Sequence, residues 1–314
     1  MNPQSKIYLA GHAGLVGSAL EKKLRKEGFS NILTRSHKDL DLTRQEAVES
    51  FFEKERPDSV FLAAAKVGGI HANHTYPADF IFQNLAIQNH VIQAAHRAQS
   101  VKKFLFLGSS CIYPRECPQP MKEESLLSGP LEATNEPYAI AKIAGIKMCE
   151  SYSRQYGERF IAVMPTNLYG PNDNHDLETS HVIPALIRKF HEAKRESSPS
   201  VTLWGTGVAR REFLHVDDLA DACVFLMNRD ELPLFSLINV GSGEDQTILE
   251  LAKLIQSIVG YTGEIVFDRT RPDGTPQKLL DVTKMKRLGW TKKISLREGL
   301  AATYESYRVL HPYR

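Results

Sequence analysis

A glycine-rich turn between an apolar run and a helical pattern is the feature that most restricts how this chain can fold. Gly11, Gly14 and Gly17 follow the strand-like run Ile7–Ala10, and a helical apolar stripe begins at Leu15. With 20 glycines in 314 residues, this spacing arises by chance only about 0.08 times per chain. Such a turn lets the backbone approach a ligand closely and points a helix N-terminus at a pyrophosphate. The turn therefore favours a dinucleotide site over a purely structural strand–helix connection.

Short apolar runs alternate with helical patterns over the first half of the chain. The continuous runs Val60–Ala63, Phe104–Leu107 and Phe160–Val163 are typical of strands covered on both faces. Between two of them, Phe80–Ala98 keeps an apolar stripe at helical spacing. This alternation predicts an α/β fold: a doubly wound parallel Rossmann sheet with a smaller C-terminal α/β lobe.

After Pro165 the alternation of apolar runs and helical patterns becomes less regular, and longer polar connections begin. We expect residues 1–165 to form the dinucleotide-binding domain, with 212–240 returning to it, and residues 166–314 to form mainly the substrate lobe. Capping-box spacings predict helix starts at Thr43, Thr247 and Ser295. The segment from 216 to 227 is predicted as an amphipathic helix and the segment from 237 to 240 as a strand.

Composition excludes several classes of protein. Lys plus Arg, 39, nearly equals Asp plus Glu, 37, so the net charge is only +2 and a nucleic-acid or anionic-membrane binder is not expected. No apolar stretch approaches the ~18 residues of a membrane helix. The four cysteines show no CxxC or metal-type spacing, which indicates a reduced, cytoplasmic protein. The histidine pairs His71/His74 and His175/His181 lack supporting carboxylates, so no metal site is predicted.

The residues after the second predicted strand bear on the choice of dinucleotide. An NAD site usually carries an acid there to bind the ribose 2′-hydroxyl, but this chain has Arg35 and no acid before Asp39. An arginine can form a bidentate contact with a 2′-phosphate. The sequence therefore favours NADP(H), and the alternative is a solvated basic loop.

Tyr138 and Lys142 lie one helical turn apart and so share a helix face. A nearby cation is expected to lower the pKa of the phenol and ease proton exchange. This spacing alone is weak evidence for a catalytic pair, because about 0.7 Tyr–Lys pairs with the same spacing are expected by chance in such a chain. Ser109, just past the carboxyl end of a predicted strand, strengthens it, since ligands of open α/β sheets bind at that edge. Ser109, Tyr138 and Lys142 after a glycine-rich turn resemble the signature of the short-chain dehydrogenase/reductase superfamily.

Further segments resemble the GDP-L-fucose synthase family, within the extended, nucleotide-sugar branch of that superfamily. The resemblance is specific because the surroundings of Cys111 and His181 are not general to the superfamily. One departure is Ala13, where bacterial members often carry arginine, and this leaves more of the cofactor choice to Arg35. The segments that carry the resemblance are Leu62–Ile70, Leu107–Pro114, Pro165–Gly170, His181–Pro184 and Arg210–Phe213.

The resemblance implies an NADPH-dependent enzyme that converts GDP-4-keto-6-deoxy-D-mannose into GDP-L-fucose. Epimerisation at C3 and C5 would precede reduction at C4. The catalytic set implied is Ser109, Cys111, Tyr138, Lys142 and His181. In it, Cys111 and His181 exchange protons with the sugar carbons, and Tyr138 protonates the C4 oxygen. Without the resemblance, Cys111 would be a small core residue and His181 an ordinary surface histidine.

Two sets of ligand-binding residues also follow from the resemblance. The cofactor set is Gly11, Gly14, Leu15, Val16, Gly17, Arg35, Asp41, Ala63, Leu107, Lys142, Pro165, Asn167, Leu168 and His181. The substrate set is Asn167, Lys189, Trp204, Arg211 and Asp273. Two cations in the substrate set suit a pyrophosphate, and the tryptophan offers an apolar wall. A homodimer built on helices 80–98 and 139–152 is the quaternary structure that the resemblance implies.

Three alternative functions remain open. A nucleotide-sugar 4-epimerase usually retains NAD and has an acid after the second strand, and a 4,6-dehydratase needs an acid pair where this chain has Ser110 and Cys111. A non-catalytic NADP(H)-sensing Rossmann protein has no use for the pair of Tyr138 and Lys142.

Overall fold

The computed structural model of the protein describes residues 1–270 and 274–311. The strands are β1 (Ile7–Ala10), β2 (Ile32–Leu33), β3 (Ser59–Leu62), β4 (Lys103–Leu107), β5 (Phe160–Pro165), β6 (Asn167–Tyr169), β7 (Ser200–Trp204), β8 (Arg210–His215), β9 (Phe235–Val240), β10 (Asp245–Thr247), β11 (Glu264–Asp268) and β12 (Gln277–Lys278). The helices are α1 (Leu15–Lys26), α2 (Gln45–Glu55), α3 (Ile70–Thr75), α4 (Pro77–Ala98), α5 (Glu136–Tyr156), α6 (Val182–Arg195), α7 (Val216–Met227), α8 (Ile248–Val259), α9 (Thr283–Arg287) and α10 (Leu296–Leu310).

The main sheet has six strands in the order β2-β1-β3-β4-β5-β9, and every neighbouring pair is parallel. An apolar core lies on each face of this sheet, and successive side chains along a strand pack into one core and then the other. Tyr8 and Phe104 pack with α2, α4 and α5, whereas Ile7 and Leu105 pack with α1 and α7. Because helices cover both faces, the strands are continuously apolar. The predicted doubly wound parallel sheet is confirmed.

A second group of elements surrounds β8, which pairs with β6, β10 and β12. Strands β7 and β11 form a separate parallel pair. A third core joins α6, α8 and α10 to these strands through residues such as Phe190, Leu251 and Tyr304. The C-terminal α/β elements therefore have their own apolar core beside the main sheet.

Two of the three predicted capping boxes are confirmed. The side chains of Thr247 and Ser295 cap α8 and α10, each in exchange with a glutamate three residues later. The prediction at Thr43 is wrong, because α2 begins after Arg44 and the Thr43 hydroxyl donates to Asp41 Oδ1 at 2.7 Å. Thr43 therefore lies one residue before the cap position, in a turn where both its N–H and its hydroxyl donate to Asp41 Oδ1.

None of the helices in the described ranges combines the length and the apolar character that crossing a membrane requires.

Candidate active site

The glycine-rich turn has the backbone geometry of a phosphate cradle. Gly11 adopts φ +85°, and a Cβ there would lie 2.6 Å from the Ala64 nitrogen. A Cβ on Gly17 would overlap the Gly11 carbonyl oxygen. Gly14 is the N-cap residue of α1 and has no side chain to cap the helix. The N–H groups of the first turn therefore have no side-chain acceptor at the cap position. His12 Nδ1 is also buried without a partner among the described residues. These features fit a dinucleotide pyrophosphate at the start of α1.

The strand order reverses beside this turn, because β2 and β3 lie on opposite sides of β1. The Ala63 N–H, just after β3, donates to Ala10 O at 3.0 Å. Leu107 and Pro165 end β4 and β5, and Asn167 follows in β6. These predicted cofactor residues therefore follow the carboxyl ends of neighbouring parallel strands, where ligands of such sheets bind. Leu168 lies beside Asn167 in β6, and Leu15 and Val16 are the first two residues of α1.

Arg35 follows β2 and is held by α2. Its Nη2 donates to Glu55 Oε1 at 2.8 Å, and its guanidinium carbon lies 5.3 Å from the centroid of the Phe51 ring. About a third of the side chain, 35%, is exposed. Asp41 lies in the same connection, and its hydrogen bonds from Thr43 lower the pKa of its carboxyl group. Arg35 is thus an oriented, partly exposed cation after β2.

Ser109 and Cys111 occupy the turn after β4. Ser109 caps a short 3₁₀ helix, Ser110–Ile112, and its Oγ accepts a hydrogen bond from the Cys111 N–H at 3.2 Å. The Cys111 thiol is partly buried and accepts a hydrogen bond from Asn135 Nδ2 at 3.2 Å. Sequence reasoning missed Asn135. The signal was its position directly before the helix that bears Tyr138, where asparagine commonly caps; here its amide contacts the thiol instead.

Tyr138 lies in the first turn of α5 and faces the β4 turn. Its hydroxyl is hydrogen-bonded to the Ser109 side chain, and its ring packs edge-on against Phe80 at 6.3 Å between centroids. Burial raises the pKa of the Tyr138 phenol, the nearby Cys111 raises it further, and the Ser109 hydrogen bond opposes the shift only in part. The expectation of a lowered pKa is therefore wrong for the protein itself, because desolvation outweighs the favourable contacts.

Lys142 lies one turn further along α5. Its Nζ donates to Leu107 O at 2.9 Å and is 5.8 Å from the centroid of the Tyr138 ring. The side chain is buried, and this burial lowers the pKa of Lys142 to about 8. Lys142 is thus tied to the end of β4, on the same side of the sheet as Ser109 and Tyr138.

His181 stands on a different element, at the residue directly before α6. The residue is partly exposed to solvent, and desolvation of the imidazole by the surrounding protein lowers its pKa. A lowered pKa favours the neutral ring, which can accept a proton at neutral pH. The structure brings Ser109, Cys111, Tyr138 and Lys142 together, and it presents His181 from the opposite, C-terminal group of elements.

Asp173, in the segment that leads to His181, gives a pH-dependent prediction. Its Oδ1 accepts the Asn174 N–H at 2.8 Å, its Oδ2 is buried without a partner among the described residues, and burial raises the pKa to about 6. Since the folded carboxyl group keeps its proton to a higher pH than the unfolded one, its contribution to the free energy of unfolding falls from about pH 4 to 6. We expect Asp173→Asn to remove this slope and to stabilise the protein by about 1–3 kcal/mol at pH 7.

Urea denaturation between pH 4 and pH 8 measures this effect. Asp176→Asn is the matched control, since hydrogen bonds from Thr179 lower the pKa of Asp176 and its replacement should destabilise the protein near neutrality. If the free energy of unfolding of Asp173→Asn changed with pH in parallel with that of the wild type, Asp173 would not be the group that causes the slope.

Of the predicted substrate residues, Lys189 and Trp204 come together. Lys189 Nζ donates to Thr202 O at 3.1 Å and lies 5.7 Å from the Trp204 ring centroid, and 52% of Trp204 is exposed. Burial lowers the pKa of Lys189. Arg211 lies in β8, where its Nη1 donates to Arg210 O at 2.8 Å. Asp273 lies outside the described residues.

No group of metal-ligating side chains occurs within residues 1–270 and 274–311. The predicted site residues offer a thiol, a phenol, a hydroxyl, an ammonium and an imidazole near the glycine-rich turn.

Comparisons with known proteins identify the family of the chain. The model of the NAD dependent epimerase/dehydratase family matches residues 7–241. A putative GDP-L-fucose synthase 2 of Arabidopsis thaliana is 60% identical over 98% of this chain and 93% of its own length. GDP-L-fucose synthase of Escherichia coli K12 is 55% identical over 96% of both chains.

Among solved structures, a GDP-mannoheptose C4 reductase from Campylobacter jejuni with NADP bound superposes with a TM-score of 0.90 at 43% identity, over 98% of this chain and 99% of that one. The matches thus extend over nearly the whole chain in sequence and in structure. The protein belongs to the NAD dependent epimerase/dehydratase family and, within it, to the family of GDP-L-fucose synthases.

Proposed function

We propose that the protein synthesises GDP-L-fucose from GDP-4-keto-6-deoxy-D-mannose, with epimerisation at C3 and C5 and NADPH-dependent reduction at C4. The observation that carries the proposal is the cluster of Ser109, Cys111, Tyr138 and Lys142 at the end of β4, in a chain 55–60% identical to named GDP-L-fucose synthases.

The epimerisation depends on the acidity that the C4 ketone gives to its neighbours. Removing a proton from C3 or C5 gives an enolate, and returning a proton to the opposite face inverts the carbon. Cys111 and His181 exchange these protons, since a thiol and an imidazole both do so near neutrality. Hydrogen bonds from Ser109 and Tyr138 to the C4 oxygen stabilise the enolate, as donors in an oxyanion hole do. Asn135 holds the thiol through its 3.2 Å contact with Sγ.

The reduction uses the same C4 oxygen. Bound NADPH supplies the hydride that C4 accepts. Because burial raises its pKa, Tyr138 keeps its proton at neutral pH and donates it to the C4 oxygen. Lys142 binds the nicotinamide ribose and orients it against Tyr138. The C4 carbonyl thus serves both the epimerisation and the reduction.

The preference for NADP(H) rests on Arg35. Its guanidinium is oriented by Glu55 and remains partly exposed after β2, where it can contact a ribose 2′-phosphate. The NADP bound to the Campylobacter jejuni relative supports this choice. The remaining cofactor contacts come from the glycine turn and the strand ends, in residues Gly11, Gly14, Leu15, Val16, Gly17, Asp41, Ala63, Leu107, Pro165, Asn167, Leu168 and His181.

The GDP part of the substrate occupies the C-terminal lobe. Lys189 and Arg211 supply the cations for its pyrophosphate, Trp204 supplies an apolar wall, and Asn167 positions a phosphate. Asp273 completes this set. We assign residues 1–165 with 212–240 to the cofactor domain and 166–314 mainly to the substrate lobe.

We also infer a homodimer that forms through α4 and α5. These helices pack on each other, and Phe82 and Ile140 leave 67% and 42% of their surface exposed on them. A monomer in sedimentation equilibrium would contradict the dimer.

The proposed location of the protein is the cytoplasm. Its four cysteines are all free thiols, which fits that reducing compartment.

Deuterium incorporation tests the function directly. Incubating the protein with GDP-4-keto-6-deoxy-D-mannose in D₂O without NADPH should place deuterium at C3 and C5, and adding NADPH should then yield GDP-L-fucose. A 4-epimerase or a C4 reductase without epimerase activity would leave both carbons unlabelled. Mass spectrometry and NMR of the sugar measure both steps, and absence of label with active reduction would refute the epimerase half of the proposal.

A further inference from the structure

The turn after β3 belongs to a motif, Leu62–Ile70, to which the proposed function gives no role apart from Ala63. Two buried asparagines hold this turn. Asn84 in α4 accepts the Lys66 N–H at 3.1 Å and donates to Lys66 O at 3.0 Å. Asn73 in α3 donates to Gly68 O at 2.8 Å and to Gly69 O at 3.0 Å. The backbone from Lys66 to Gly69 is therefore tied to two helices.

Gly69 carries the contact from this turn to the catalytic segment of the other lobe. Its N–H donates to Thr179 O at 2.9 Å, and a Cβ on Gly69 would lie 2.6 Å from Ser180 O. Gly69 has φ −66° and ψ −180°, an extended conformation open to any residue. Glycine is needed here only for the close approach of the two backbones.

Asp176 holds Thr179 and Ser180 from the side opposite Gly69. Its Oδ1 accepts the Thr179 N–H at 3.0 Å and the Thr179 hydroxyl at 2.9 Å, and its carbonyl oxygen accepts the Ser180 N–H at 2.8 Å. The next residue is His181, and α6 begins directly after it. His181 therefore follows two residues whose backbone is bonded on both sides.

We propose that Gly69 is a positioning residue for His181: its amide and its missing side chain set the place of the imidazole relative to the residues after β4. Asn73 and Asn84 act with it, because they fix the turn that presents the amide. The inference rests on the proposed role of His181 in epimerisation. It predicts that disturbing Gly69 impairs proton exchange at the sugar carbons far more than it weakens cofactor binding, since His181 is only one of many proposed cofactor contacts.

Gly69→Ala tests the close approach without straining the backbone. The added methyl group must push Ser180 away, and a displacement of about 1 Å at a reacting group costs about 10²-fold in rate. We expect deuterium incorporation from D₂O to fall by about 10²-fold, while NADP⁺ affinity changes by no more than about threefold and the thermal unfolding midpoint falls by only a few degrees, as in ordinary overpacking. Asn73→Ala should lower the same rate, since it releases the turn.

Gly68→Ala is the matched control, because its methyl group would meet the Ala72 and Phe80 side chains rather than the segment before His181. Its deuterium incorporation should stay within about threefold of the wild type. An equal loss in Gly68→Ala and Gly69→Ala would overturn the proposal, and so would an unchanged rate in Gly69→Ala.

A double-mutant cycle with His181→Asn separates positioning from a general structural effect. If Gly69 acts through His181, Gly69→Ala costs nothing more in the His181→Asn background; if the two losses multiply, the proposal is wrong. A wild-type protein that incorporates no deuterium would instead refute the proposed function. The two failures are therefore distinguishable.

Discussion

Replacing Cys111 by alanine is expected to lower deuterium incorporation at C3 and C5 by about 10²–10⁴-fold, the range for loss of a positioned proton-transfer group. The thiol is held by Asn135 and lies beside the half-buried Tyr138, and alanine at this position has no proton to exchange. NADP⁺ affinity should remain unchanged, because the glycine turn and Arg35 are untouched.

Cys223→Ala is the matched control for this substitution. Cys223 is fully buried in α7, on the face of the main sheet opposite α5, so the same change there should cost some stability and leave the exchange rate unaltered. Exchange is measured by NMR of the sugar after timed incubation in D₂O. Undiminished exchange in Cys111→Ala would remove Cys111 from the mechanism.

Replacing Tyr138 by phenylalanine is expected to slow NADPH consumption by about 10²–10⁴-fold. The substitution keeps the ring that packs against Phe80 and removes only the hydroxyl that, in the proposed function, donates a proton to the C4 oxygen. Because burial raises the pKa of this phenol, ionisation of Tyr138 should not reduce the wild-type rate between pH 7 and pH 9.

Tyr152→Phe controls for the loss of a hydroxyl on the same helix, since the Tyr152 hydroxyl is bonded to Gln93 rather than to any residue of the site. The absorbance of NADPH follows the reaction, and product analysis shows which step has failed. Near-normal consumption in Tyr138→Phe would defeat the role assigned to Tyr138.

The two substitutions probe parts of the site that the fold supplies separately. Ser109 and Cys111 come from the turn after β4 and Tyr138 from α5, and these meet because both elements flank the same strand. His181 lies directly before α6, in the C-terminal group of elements. In the proposed function, proton exchange therefore depends on how two groups of elements face each other, whereas the residues proposed for the reduction, Tyr138 and Lys142, share one helix.

Features that depend on neighbours along the chain could be predicted from the residues alone. The turn Gly11–Gly17, the helix from 216 to 227 and the caps at Thr247 and Ser295 all appear as predicted, because spacing and periodicity act over a few residues. The parallel sheet followed from continuous apolar runs separated by helices. The predicted cap at Thr43 was wrong because α2 begins one residue later, with Arg44 at the cap position.

Which distant groups meet, and how buried they are, becomes visible only in the folded protein. No local pattern places the Asn135 amide on the Cys111 thiol, the Lys142 ammonium on Leu107 O, or the Gly69 amide on Thr179 O. The pKa of Tyr138 is raised rather than lowered for the same reason. Desolvation depends on the atoms that surround a group in space, and the chain brings those atoms from strands and helices far apart in sequence.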